Sequence, residues 1–262
     1  MQAASKDFVS RSPLSGLPLL TAALLLAGVG AAHGGGQERP TIPFPVADLF
    51  FELNSSAGDL GIHAEIDGGP WTSLEVKGPG DRKLLSIVSK SRLRTQGLTQ
   101  LAFESAEPPF SELDHADFFR RFPEGEYDIE ARAQGGGTLA STVHLSHVLA
   151  APPDNIRVAG LPAAANCDAQ PLPEVSAPVL IRWDRVTRSH PEIGKAGPVT
   201  ISRYQFFVEL QGGKLSIDLP PTQTEYEVPF GAADRGRVFK FEIIARTSTG
   251  NNTAVESCFK VK

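Results

Sequence analysis

The stretch VFKFEIIA, Val238 to Ala245, alternates with a strict period of two. Phe239, Phe241, Ile243 and Ala245 share one face, while Lys240 and Glu242 point the other way. A helix needs apolar residues at a period of 3.6, so this run can bury one face only as a strand in a sheet. The pattern recurs at Val179, Ile181 and Trp183, at Tyr204, Phe206, Val208 and Leu210, and at Tyr226 and Val228. In the first half it appears at Leu49, Phe51 and Leu53, at Ile62, Ala64 and Ile66, at Leu74 and Val76, at Tyr127, Ile129 and Ala131, and at Val143 and Leu145. The segments IDGGP, KGPGD and AQGGG punctuate these runs with turn chemistry. Only SELDHADFFRRF reads as a helix, with Ser111 as its N-cap, Leu113, Phe119 and Phe122 on one face, and Pro123 ending it. The expected fold class is therefore all-β: two tandem antiparallel β-sandwiches after a signal peptide, the N-terminal one with a short helical insertion.

The chain opens with Lys6 and Arg11, followed by the 16-residue apolar run LPLLTAALLLAGVGAA from Leu17 to Ala32. That is the three-part pattern of an export signal, and it falls short of the roughly 20 apolar residues of a spanning helix. Cleavage after Ala32 is expected, so residues 1–32 are read as signal peptide and 33–46, with GGG and QERPTIPFP, as a flexible lead without fold. Residues 47–149 form the first predicted domain, 150–155 a stiff, exposed APPD linker, and 156–262 the second domain. Localisation is accordingly expected to be secreted or periplasmic. Net charge is −5, and loss of residues 1–32 with Lys6, Arg11 and Asp7 leaves the mature chain one unit more negative. Without a basic run, neither nucleic acid nor stable membrane insertion of the mature chain is expected.

Cys167 and Cys258 are the only cysteines, in a chain expected to enter an oxidising compartment, and a disulfide between them is predicted. NCDAQ and ESCFK offer no metal-ligand spacing. The bridge requires Cys258, on the last strand, and Cys167, between the strand near Ile156–Val158 and that of Trp183, to meet at one end of a sandwich.

Trp183 after its alternation, ISRYQF with Ile201 and Tyr204, TEYEVP, and FKFEIIARTSTGN together resemble, in order and spacing, the signature strands of fibronectin type III domains over about residues 153–262. The resemblance implies a seven-stranded antiparallel sandwich without catalytic residues of its own. It departs from the family where Phe239 replaces the usual corner tyrosine, and no RGD tripeptide is present. PEGEYDIEARAQGGGTLASTVHLSH is similar to the closing hairpin of immunoglobulin-like domains of exported proteins.

The remaining candidates are readable both as chemistry and as plain structure. His144 and His147 would fall on opposite faces of a strand. Glu112, Asp114 and Asp117 with His115 and Glu124 are an acid-base candidate or a solvated helix start, and Asn54, Asp59 and Asp67 a calcium candidate or simple turn residues. Trp71 is either a sugar-stacking platform or core. TSTGNNT, 247–253, reads as a tight strand connection, and Asn54-Ser55-Ser56 and Asn251-Asn252-Thr253 match glycosylation acceptors. No GxSxG, HExxH or phosphate-binding glycine loop occurs. The sequence thus names no catalytic residue, no cofactor and no metal. It points to an exported non-catalytic binding or adhesion protein presenting the loops of two sandwiches to a protein or surface partner. The alternatives are an accessory carbohydrate-binding module and a hydrolase.

Overall fold

The computed structural model describes residues 41–210, 213–229 and 234–262; the segment read as an export signal lies outside the described residues. The first half runs β1 (Thr41–Ile42), β2 (Val46–Asn54), β3 (Asp59–Gly78), β4 (Arg82–Val88), α1 (Ser91–Gln96), β5 (Leu98–Glu104), α2 (His115–Arg121), β6 (Gly125–Ala133) and β7 (Thr138–Leu145). Its organising element is the 20-residue β3. The early part of β3, Asp59–Asp67, pairs with β2, and β5 lies along its other edge; the later part, Trp71–Lys77, pairs with β6 and with β4. IDGGP therefore does not end a strand. Its glycines mark an irregularity between Asp67 and Trp71, and a Cβ on Gly68 would lie 2.8 Å from the Phe44 ring, so glycine serves close approach here rather than a hairpin.

Between the two arms of β3 lies an apolar core that includes Phe51, Leu53, Ile62, Ile66, Trp71, Leu74, Val76, Ile129 and Leu145. Helix α2 caps it with Phe118 and Phe119, both edge-on to Phe51. The cap of α2 is Asp114, whose carboxylate accepts the Ala116 N–H, and not Ser111. The short, wholly exposed α1 leaves no mark in the sequence, because SRLRTQ carries no apolar stripe. The lead is not structureless either: Thr41–Ile42 pair in parallel with β7, and Phe44 is buried with its N–H on Ser141 Oγ.

The second half holds β8 (Arg157–Val158), β9 (Leu161–Pro162), β10 (Glu174–Val175), β11 (Val179–Arg182), β12 (Ile201–Leu210), β13 (Gly213–Leu219), β14 (Glu225–Val228), β15 (Val238–Thr247) and β16 (Asn252–Val261). One layer has the order β14-β11-β8-β9; the facing layer runs β13-β12-β15-β16, with β10 alongside β16 in parallel. Setting aside the two-residue β9 and β10, this is the seven-stranded sandwich implied by the resemblance. Its core stacks Trp183 edge-on to Tyr204 at 5.4 Å and parallel to Phe206 at 6.4 Å. Cys167, between β9 and β10, is bonded to Cys258 on β16, with Cα atoms 4.8 Å apart.

The halves are welded. Strand β16 pairs in parallel with β2, Asn252 against Glu52 and Ala254 against Asn54, so one sheet continues from β13 through β16 into β2 and β3. The apolar cores divide at Leu149 and Ala150, yet the APPD segment is not an exposed linker. Ala150, Ala151 and Pro153 are buried, and the Ala150 carbonyl accepts the Thr253 hydroxyl.

Candidate functional site

Several sequence candidates dissolve into structure. Trp71 is fully buried and Trp183 nearly so, which removes Trp71 as a sugar platform. Asp114 caps α2, Asp117 pairs with Arg120, and Glu124 accepts the His147 N–H and pairs with Lys195, whose hydrogen bond, more than its charge, holds its carboxyl below the usual range. Among the described residues, no three of Glu112, Asp114, His115, Asp117 and Glu124 bring their side-chain ligand atoms together. His144 lies beside Glu126, 2.9 Å away, whereas His147 faces the Phe122 carbonyl, so the two histidines do not converge. Asn54 and Asp59 flank one hairpin, but Asp67 lies eight positions along β3. Asn54 Oδ1 already accepts the N–H groups of Ser56 and Ala57.

The loop between β15 and β16 is more than a tight connection. Thr247, Asn251, Asn252 and Thr253 are buried in the junction between the halves. Asn251 Oδ1 accepts the Phe51 N–H at 2.9 Å, and its Nδ2 donates to the Ser146 and Val148 carbonyls. Asn252 Nδ2 donates to Glu52 Oε2. The loop after β11 joins the same junction, with His190 N–H on the Leu149 carbonyl and Lys195 N–H on that of His147. Two loops that a free sandwich would present at this end are thus committed to holding the halves together.

Beside the junction opens a groove of about 520 Å³ lined by Asp48, His144, Ser202, Arg246, Ser248 and Thr249 among others. One wall is the free edge of β2. In the β2–β3 ladder, Phe51 turns its N–H away from β3 toward Asn251, so Ala47 and Leu49, at the same parity, turn their backbone groups toward the groove as well. Arg246 is held at the rim by Asp48 at 2.7 Å and lies 4.7 Å over the Phe50 ring.

From Phe50 the outer face leads to an acidic cluster. Phe50 stacks on His63 at 5.4 Å, and His63 is the register partner of Glu104. Glu107 reaches back over Gly61 to place Oε1 2.8 Å from His63 Nε2. A Cβ on Gly61 would lie 1.9 Å from that oxygen, so the approach requires glycine. Asp59, Glu52 and Glu256 complete the group. Burial first, then repulsion from Glu107, Glu256, Glu52 and Glu104, pushes the Asp59 carboxyl up to about 6. Burial lowers the affinity of His63 for a proton, but the Glu107 hydrogen bond and the charges of Glu52 and Glu104 outweigh it, and its pKa is raised. Sequence reasoning passed over His63, Glu104 and Glu107, since the separations 63 to 104 and 63 to 107 follow no motif and only the β3–β5 register joins them.

These features define an all-β protein of two sandwiches joined by a shared sheet. No protein-family model matches the chain, and no curated protein matches it. Among solved structures it is similar to the FN1–FN3 domains of chicken CNTN1, at 9% identity over 84% of this chain and 68% of that one, with a TM-score of 0.32. It is also similar to the two-domain fibronectin type III segment of chicken tenascin, at 13% identity over 81% and 97% of the respective chains and a TM-score of 0.29. The human OSCAR ligand-binding domain matches at 13% identity over 82% and 97%, with a TM-score of 0.26.

Proposed function

We propose that the protein is an exported, non-catalytic binding protein that engages a protein or cell-surface partner through the groove at its junction. The observation that carries this reading is the groove itself. Its 520 Å³ is in the range of recognition clefts, it draws residues from both halves, and the junction hydrogen bonds fix its shape. Its lining combines apolar Ala47, Leu49 and Val143 with hydroxyls, the Asp48–Arg246 pair and the His144 imidazole along the edge of β2, which suits an extended chain that offers both side-chain and backbone contacts. Export is supported by the N-terminal apolar run and by the Cys167–Cys258 bridge. No helix among the described residues is long and apolar enough to cross a membrane.

The test is photo-cross-linking in the producing cells from a reactive side chain at Thr249, which is exposed on the rim, with Lys83, exposed on β4 and outside the groove, as control. A discrete adduct from Thr249 and none from Lys83 supports the reading. No adduct from Thr249, or the same adduct from both positions, rejects it.

A further inference from the structure

We propose that His63, Glu104 and Glu107 form a binding site for a divalent transition-metal ion, with zinc the best chemical match. The imidazole and the two carboxylates each offer a ligand atom, and all three atoms lie within 4.8 Å of one another. Ligands on a tetrahedral zinc stand about 3.4 Å apart, given metal–ligand distances of about 2.1 Å, so small side-chain adjustments close the set. An imidazole among the donors favours zinc over calcium or magnesium, which prefer oxygen alone.

Three further features separate this set from an ordinary solvated acidic patch. His63 and Glu107 are withdrawn from water, with side-chain exposures of 13% and 23%. Gly61 lets Glu107 lie flat across β3, fixing its carboxylate against the ring, while Phe50 packs on the ring and restricts its orientation. Finally, Asn252 is 4% exposed and holds Glu52 Oε2 through Nδ2, while its own Oδ1 has no hydrogen-bond partner. Glu52 pairs with Gly61, the residue beneath Glu107, so this unsatisfied buried oxygen belongs to the same cross-strand row as the cluster. Through its Nδ2, Asn252 anchors the Glu52 carboxylate that flanks the cluster. Metal binding displaces the proton between His63 and Glu107, and the three protein ligands leave a position for water.

The experiment is a calorimetric titration of the chelator-treated full chain with zinc chloride, repeated on His63→Ala, Glu104→Gln, Glu107→Gln and His144→Ala. One equivalent should bind to the parent. Affinity should fall at least tenfold in each of the first three variants and stay unchanged in His144→Ala, whose ring lies outside the cluster. Cobalt in place of zinc should give visible absorption bands that disappear with the same three substitutions. Near-ultraviolet circular dichroism of each variant shows whether it keeps its fold, and the glutamine variants preserve side-chain shape. Absence of zinc binding up to millimolar concentration, or binding that the three substitutions leave intact in folded protein, overturns the proposal. So does equal binding of calcium that none of the substitutions alters.

Discussion

Asn251 and Phe51 are 200 positions apart, yet the side-chain oxygen of one accepts the backbone N–H of the other at 2.9 Å. The asparagine takes the place of a neighbouring strand on the free edge of β2, and its amide nitrogen reaches the Ser146 and Val148 carbonyls on the other side. Three chain segments, one with Phe51, one with Ser146 and Val148, and the loop with Asn251, are thus tied at one fully buried side chain.

Asn251→Ala removes three hydrogen bonds and leaves their backbone partners unsatisfied in a buried site. Each orphaned group costs about 1 kcal/mol or more, so a loss of roughly 2 to 4 kcal/mol is expected, read as a lower urea midpoint or a split transition. An unchanged single transition would sink the view that this residue couples the halves. The same burial closes the Asn251-Asn252-Thr253 acceptor pattern, so folded protein made in a eukaryotic host should carry no glycan on Asn251 by peptide mass spectrometry.

How much of this was legible in the sequence depends on the range of the interactions. The faces of β15, β12 and β11 were readable because Phe241, Phe206 and Ile181 repeat at the pleat period and the core accepts one parity only. Trp71 read two ways, since a Trp next to GGP suits a turn as well as a core, and only the bend of β3 decided it. TSTGNNT looked like an idle turn because its residues are small and polar; their burial comes from β2, which is remote in sequence. The corner tyrosine missing at Phe239 has a counterpart in the first half, where the Tyr127 hydroxyl donates to the Pro123 carbonyl at 2.9 Å. PEGEY contained that residue, but its partner depends on how the chain leaves α2. His63, Glu104 and Glu107 were invisible for a plainer reason: cross-strand pairing between β3 and β5 leaves no fixed spacing in a sequence.

Cys167–Cys258 closes a separation of 91 residues, and on the chain-entropy account such a loop stabilises by about 4 to 5 kcal/mol. Cys258 lies on β16, which also carries the pairing with β2, so the bridge anchors the strand that joins the halves. The double variant Cys167→Ser, Cys258→Ser should lose roughly 2 to 5 kcal/mol in urea unfolding while keeping its far-ultraviolet circular dichroism. A variant as stable as the parent would show that the bridge is redundant with the β16–β2 ladder.

Glu242 should give the protein a pH-dependent weakness on its outer face. Burial raises its carboxyl first, repulsion from Glu52 and Glu256 raises it further, and Lys214 and Lys240 pull against them, leaving a pKa of about 7. The folded chain therefore holds this proton more tightly than the unfolded chain, where the value is about 4.5. The stabilisation that results is complete below pH 4.5 and is lost as pH rises through 7, when the folded protein must carry an ionised carboxylate among like charges. Glu242→Gln keeps the shape and removes the charge. It should raise stability relative to the parent at pH 8 by roughly 1 to 3 kcal/mol, and by much less at pH 4.5, where both side chains are neutral in the folded state. Urea midpoints of parent and variant across this range provide the check, and a difference that does not change with pH would show that Glu242 is ionised throughout.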